Sequence, residues 1–261
     1  MSLDTLFAAL GRGESVDIPT GWTQGRANFG GLVAAVLYAR IDALIEDSRT
    51  LRSATVSFVG PVAAGPATVK AELLRHGKSV TQAEARIIQN GEVVAVMLAS
   101  LGASRESSIR VNAEAAPVFK SPDECMALPC IPGVTPEFTQ NIDFRWGHGD
   151  FPFTGSALPE LGGWMRLKEK RGDVDLLDLF MLVDAWPPAL LPMVKGPAPG
   201  SSMCWTLEPV YLPKGKTANS WWQYRATTDH AVDGYGNTQA RIWDDEGNLV
   251  AISRQTVVVF A

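Results

Sequence analysis

Residues 28–41 read Asn-Phe-Gly-Gly-Leu-Val-Ala-Ala-Val-Leu-Tyr-Ala-Arg-Ile. Gly30 and Gly31 precede an alanine- and leucine-rich run that extends to Ile45 and carries only two charged residues, both near its end. Glycines and a polar residue such as Asn28, a candidate N-cap, are typical of a helix start. A helix that is apolar on most of its sides must be buried, so this run predicts a long central helix.

Four strand-like segments follow this helix with little sequence between them. Asn90-Gly91 separates the last two, and Asn-Gly is the strongest short signal for a two-residue hairpin. The pattern therefore predicts an antiparallel meander packed on the helix. Its strands are expected at 51–59, 66–75, 79–90 and 92–102.

The second half of the chain repeats this order of elements. A helix is expected from Val174 to Ala185, and the prolines 187–188 must end it. Ala85-Arg86-Ile87 matches Ala240-Arg241-Ile242, an offset of roughly 150 residues that indicates an internal repeat. The strands of this half are expected at 138–146, 162–168, 201–211, 219–229, 236–244 and 248–259.

A helix with an antiparallel meander, present twice, predicts an α+β double hotdog, in which an antiparallel sheet wraps a long helix in each of two tandem repeats. We assign residues 1–108 to the N-terminal repeat and 135–261 to the C-terminal repeat. Residues 109–134 carry four prolines and little periodicity, so they are interpreted as a linker packed over the surface.

The composition is typical of a globular protein and does not favour one that binds nucleic acid or spans a membrane. The chain has 261 residues, 46 % of them hydrophobic and 20 % charged, which fits a folded globular protein. Its formal net charge of −5 gives no basic field for nucleic acid or anionic lipid, and no apolar run approaches the roughly 20 residues of a membrane span. Three Cys and three His, without metal-ligand spacing, predict no metal site and favour a reducing, cytoplasmic compartment.

The order and spacing of several segments resemble the acyl-CoA thioesterase II family. The resemblance implies a double-hotdog enzyme that cleaves acyl-CoA to a free acid and CoA, without a metal or redox cofactor. The segments that carry it are Asn28-Phe29-Gly30-Gly31-Leu32-Val33, Ser57-Phe58-Val59-Gly60-Pro61 onward to Gln89-Asn90-Gly91, and Leu249-Val250-Ala251-Ile252-Ser253-Arg254-Gln255.

The same resemblance implies a water-activating set of Asp, Thr or Ser, and Gln in the second repeat. Matched position by position, the carboxylate is Asp184 and the amide is Gln255. The third member falls on Cys204 in an ungapped register and on Thr206 after a shift of two residues, with Ser202 as a more distant option.

The residues themselves give Asp184 an independent interpretation. At about 100° per residue it lies within the apolar stripe of its helix, between Leu177 and Phe180. It also lies in the last turn, where the helix dipole disfavours a negative charge. Both effects raise a carboxyl pKa, so that it can accept a proton from water near neutral pH. The alternative is that Asp184 merely caps or solvates the helix end.

The other candidates each have a structural alternative. The amide of Gln255 could orient water, or be a half-exposed strand residue. The hydroxyl of Thr206 could hold the same water, or the residue could serve strand propensity. Cys204 could be a nucleophile or a buried structural thiol. Helix-start amides at Gly30 and Gly31 could bind the thioester oxyanion, or these glycines could permit close backbone packing.

Two other functions remain open from the sequence. A hotdog enoyl-CoA hydratase or dehydratase would need a His and a carboxylate in one pocket, whereas the adjacent Asp229 and His230 point to opposite faces of a strand. A non-catalytic acyl-CoA binding protein would keep the fold without the chemistry. Edge strands of hotdog sheets favour pairing, so a homodimer or larger homo-oligomer is expected.

Overall fold

The computed structural model describes residues 2–260, so Met1 and Ala261, the outermost residues of the two predicted repeats, lie outside it. Its helices are α1 (Leu3–Arg12), α2 (Gly30–Asp42) and α3 (Leu176–Val183). Its strands are β1 (Ser15–Ile18), β2 (Thr23–Gln24), β3 (Ala27–Asn28), β4 (Thr50–Phe58), β5 (Gly65–His76), β6 (Val80–Gln89), β7 (Glu92–Gly102), β8 (Met126–Ala127), β9 (Ile142–Gly149), β10 (Glu160–Leu167), β11 (Gly200–Pro209), β12 (Trp222–Val232), β13 (Tyr235–Trp243) and β14 (Leu249–Val259).

Twelve of these strands form one antiparallel sheet in the order β1-β5-β6-β7-β4-β11-β14-β13-β12-β10-β9-β8. The two halves of the chain meet where β4 pairs with β11, with Thr55 opposite Thr206. Helices α2 and α3 pack against each other inside the sheet, with the rings of Tyr38 and Phe180 5.5 Å apart. Two helices wrapped by antiparallel strands confirm the α+β double-hotdog fold that the sequence predicts.

Helix α2 is buried along ten of its thirteen residues, as its composition predicts. Its N-terminus differs from the expectation. Phe29 takes the N-cap position without a side-chain cap, because the Asn28 amide instead donates to the Val62 carbonyl. Gly31 allows the two helices to approach closely, since a Cβ there would lie 2.9 Å from the Met181 Cα. The first turn of α2 therefore offers its amides to a neighbouring element.

Helix α3 is shorter than α2 and is fixed at its N-terminus by polar contacts. Asp175 and Asp178 form a reciprocal capping box. The Arg171 guanidinium lies 2.7 Å from the buried Asp178 carboxylate and 2.6 Å from Asp4 in α1. This ion cluster holds the N-terminal helix against the second half of the chain.

The segment between the halves packs on the second half of the sheet. The carbonyls of Glu114 and Lys120 accept hydrogen bonds from the indole groups of Trp243 and Trp164. None of the helices within residues 2–260 is long and apolar enough to cross a bilayer.

Candidate active site

Asp184 lies at the junction of the two halves. It follows the last residue of α3, and its carboxylate faces the N-terminus of α2. A Cβ built on Gly30 would lie 2.6 Å from Asp184 Oδ2, and the Gly31 backbone amide is near enough to lower the pKa of the carboxyl group. Asp184 therefore occupies the cap site that the side chains of α2 leave open, where the helix dipole favours an anion.

Gln255, in the last strand β14, contacts Asp184 through a hydrogen bond. Its Nε2 donates to Asp184 Oδ1 over 2.8 Å. In the sheet Gln255 lies between Trp205 of β11 and Thr238 of β13, and both neighbours are buried. The sequence candidates Asp184 and Gln255 are thus brought together on the inner face of the sheet.

Burial dominates the electrostatics of this pair. It raises the pKa of Asp184 to about 7, although the hydrogen bonds from Gln255 and Gly31 pull in the opposite direction. Asp184 keeps a partial exposure to solvent. A carboxyl group whose pKa lies near neutral pH is suited to general base catalysis.

Cys204 and Thr206 do not join the pair. They flank the buried Trp205, so they project to the outer face of the sheet, where the Thr206 hydroxyl lies 3.4 Å from that of Thr55. Cys204 is exposed and unpaired. A register shift between Ser202 and Cys204 alters the alternation, and Ser202 lies opposite the buried Val257, on the face that carries Gln255.

Thr238 is a polar residue of this region that the sequence reasoning missed. It lies directly across from Gln255 on β13 and is 6 % exposed, and its hydroxyl is 3.5 Å from the Gln255 carbonyl oxygen. The alternation of β13 places it on the inner face. A polar residue at an inward position of a strand was the available signal.

Both halves of the chain match models of one protein family. Residues 18–102 match the acyl-CoA thioesterase N-terminal domain, and residues 122–259 match the acyl-CoA thioesterase C-terminal domain. The chain belongs to the acyl-CoA thioesterase family. It is a thioester hydrolase, as the resemblance of its motifs implied.

Solved structures share the fold of this thioesterase at low sequence identity. A hotdog protein of unknown function from Alicyclobacillus acidocaldarius has a TM-score of 0.84 and 22 % identity over 95 % of this chain and 92 % of its own. An acyl-CoA thioesterase II from Mycobacterium marinum has a TM-score of 0.74 and 20 % identity over 94 % and 91 % of the two chains. The comparison with curated proteins gave no match.

The histidines of the thioesterase lie away from Asp184. His148 lies 2.9 Å from Glu160, and His76 contacts Arg49. His230 is exposed on β12, and its neighbour Asp229 instead pairs with Arg254. Within residues 2–260, no histidine contacts Asp184, and no cluster of three or more potential metal ligands is found.

Aromatic rings occupy the interior beside the catalytic candidate. Trp186, two residues after Asp184, stacks on Tyr224 with ring centroids 5.6 Å apart and an interplanar angle of 4°. Gly162 and Gly163 of β10 lie at a register shift in its pairing with β9. A Cβ on Gly163 would collide with the Arg145 carbonyl oxygen and lie 2.9 Å from the Trp186 ring, so the glycine permits the close approach of both β9 and the indole.

Proposed function

We propose that this thioesterase hydrolyses acyl-CoA to a free acid and CoA by direct attack of water, with Asp184 as the general base. The observation that carries the proposal is the hydrogen bond between Gln255 and Asp184 at the helix ends where the two halves meet. A carboxylate with a raised pKa, next to a fixed amide and a helix N-terminus, combines a base, a water-positioning group and candidate oxyanion donors.

In this mechanism Asp184 takes a proton from water as the water oxygen attacks the thioester carbonyl carbon. Gln255 donates to the carboxylate through Nε2 and leaves its Oε1 to accept a hydrogen bond from the same water. The tetrahedral intermediate then collapses, the C–S bond breaks, and the proton held by Asp184 passes to the CoA sulfur. Each turnover therefore consumes one water and restores the carboxylate.

The groups that hold the water and the thioester oxygen are assigned from their positions relative to Asp184 and Gln255. Ser202, rather than Thr206 or Cys204, is the hydroxyl of β11 proposed to hold the water, since it lies on the face that carries Gln255. The amide of Gly30 is proposed as a donor to the thioester oxygen, because it opens α2 beside the Asp184 carboxylate.

The rival functions differ from hydrolysis in what they require at Asp184. A hydratase would need a histidine beside the carboxylate, and the three histidines lie elsewhere. A non-catalytic binding protein would not need a buried carboxylate with a pKa of about 7 beside a hydrogen-bonded amide. A homo-oligomeric state and a cytoplasmic location stay predictions, the first of which sedimentation would test.

The test is thiol release from a panel of acyl-CoA esters by wild type, Asp184→Asn and Asp123→Asn. Asp123 is an exposed aspartate outside the site and serves as the matched control. We expect Asp184→Asn to lower kcat at least about a hundredfold, the scale of a general base, and Asp123→Asn to have no effect. Binding of CoA esters without thiol release would support the binding protein, and hydration of an enoyl-CoA would support the hydratase.

A further inference from the structure

The helix that precedes Asp184 is shorter than its counterpart in the first half of the chain. Helix α2 has thirteen residues, whereas α3 has eight and stops before Pro187 and Pro188, which cannot extend it. Trp186 lies in this short connection, and its side chain turns inward with only 4 % exposure. An indole therefore fills the interior beyond the point where the helix ends.

The indole of Trp186 is held in place from several sides. Tyr224 stacks on it, and the rings of Trp146 and Phe144 pack at 5.0 Å and 5.6 Å. Trp146 is itself fixed by a 2.8 Å hydrogen bond from its indole N–H to the Gly149 carbonyl and by the Phe151 ring at 4.7 Å. Close-packed rings of this kind do not yield readily to an entering chain.

The rings of Trp186, Tyr224, Trp146 and Phe144, called here the aromatic wall, lie next to Asp184. Trp186 is joined to Asp184 through one residue, and the charge of Asp184 contributes to raising the pKa of the buried Tyr224 hydroxyl. The start of α2 and the Phe58 ring also lie close to Asp184, since a Cβ built on Gly30 would lie 2.6 Å from Asp184 Oδ2 and 3.0 Å from Phe58. The rings of Trp186 and Tyr224 are therefore among the large side chains that can limit an acyl group bound at Asp184.

We propose that Trp186, backed by Tyr224, closes the far end of the acyl site and restricts the enzyme to short acyl groups. The inference rests on the proposed hydrolysis at Asp184. A long alkyl chain would have to displace close-packed rings, whereas an acyl group of a few carbons ends before it reaches them. Trp186 is a specificity-determining residue in this account and takes no part in the chemical step.

The test compares kcat/KM for butanoyl-CoA and dodecanoyl-CoA. We expect wild type to prefer butanoyl-CoA by at least about tenfold, because even one misplaced methylene in a tight pocket costs that much. Trp186→Leu should lower this ratio at least about tenfold, through a rise in kcat/KM for dodecanoyl-CoA. Trp186→Phe, a smaller change, should shift the ratio in the same direction if the leucine variant does not fold.

Trp243→Leu is the matched control. Trp243 is 1 % exposed, and its indole bonds to Glu114 in the segment between the halves, away from Asp184. Its replacement should leave the ratio unchanged. Equal hydrolysis of both esters by wild type, or an unchanged ratio in both Trp186 variants, would refute the claim that Trp186 limits acyl length. Neither result would contradict hydrolysis at Asp184. Absence of hydrolysis of every ester would instead refute the proposed function, and this inference with it.

Discussion

Gln255 and Asp184 are joined by a 2.8 Å hydrogen bond, although they lie 71 positions apart, Gln255 in the last strand and Asp184 directly after α3. The bond fixes the amide and the carboxylate relative to each other at the point where α2 begins. It also lowers the Asp184 pKa against the larger opposing effect of burial. The candidate site therefore takes its side chains from the second half of the chain and a helix N-terminus from the first half.

The two faces of β11 predict different effects of its hydroxyl and thiol side chains. Ser202→Ala should lower kcat about tenfold, the equivalent of one hydrogen bond, because Ser202 lies on the face that carries Gln255. Thr206→Val and Cys204→Ala should stay within about twofold of wild type, because both side chains project outward. Steady-state thiol release measures all three, and a larger loss in Thr206→Val than in Ser202→Ala would reverse the assignment.

The buried ion pair between Arg171 and Asp178 predicts a large effect on stability. Their side chains are 7 % and 1 % exposed, so Arg171→Met leaves a buried carboxylate without its partner. We expect the free energy of unfolding at pH 8 to fall by about 3–5 kcal/mol in chemical denaturation.

An exposed pair supplies the control for this measurement. Arg254→Met removes the contact with Asp229, whose side chains are 62 % and 34 % exposed, and should cost less than about 1 kcal/mol. The double variant Arg171→Met with Asp178→Leu should recover part of the loss, because it removes the unpaired charge. Equal costs for the two arginine variants would show that the buried Arg171–Asp178 pair stabilises the fold no more than an exposed pair does.

The raised pKa of Asp184 predicts that the catalytic candidate destabilises the fold. Native Asp184 keeps its proton up to pH 7 or so, whereas in the unfolded chain it loses the proton near pH 4. Its contribution to stability therefore declines as the pH rises between these two values. Asp184→Asn removes the buried charge and should add about 1–3 kcal/mol at pH 8, less than the full shift because the residue is partly exposed.

The measurement is the free energy of unfolding at pH 8 and pH 5. The advantage of Asp184→Asn should shrink at pH 5, where the native carboxyl is already neutral. Asp123→Asn, at an exposed position, should match wild type at both values. A variant no more stable than wild type at pH 8 would mean that the Asp184 charge is well solvated.

Local patterns were sufficient to predict most of the fold. The run from Gly30 to Ile41 is apolar on most of its sides, and a buried helix suits it. Alternation and the Asn90-Gly91 turn placed the long strands of the first half to within a residue or two. The end of α3 followed from two prolines. These features depend on neighbours in the sequence, which a single chain displays directly.

The parts that escaped prediction depend on distant contacts. Alternation alone puts Ser202, Cys204 and Thr206 on one face, and the register shift that separates Ser202 from them leaves no mark in composition. Asn28 is a residue type that favours the N-cap position, but its side-chain amide donates to the Val62 carbonyl. The first turn of α2 instead lies next to the Asp184 carboxylate. No spacing rule anticipates a carboxylate from another helix in that position.

The pH dependence of kcat/KM, compared between wild type and Gln255→Leu, tests the Asp184–Gln255 site most directly. The base must be ionised, so wild-type activity should rise with pH through a midpoint of about 7. Gln255→Leu removes a hydrogen bond that lowers this pKa, so its normalised profile should be displaced to higher pH, in addition to a loss of rate. A wild-type profile that is flat between pH 5 and 9, or a midpoint that Gln255→Leu leaves in place, would contradict the assignment of Asp184 as the base.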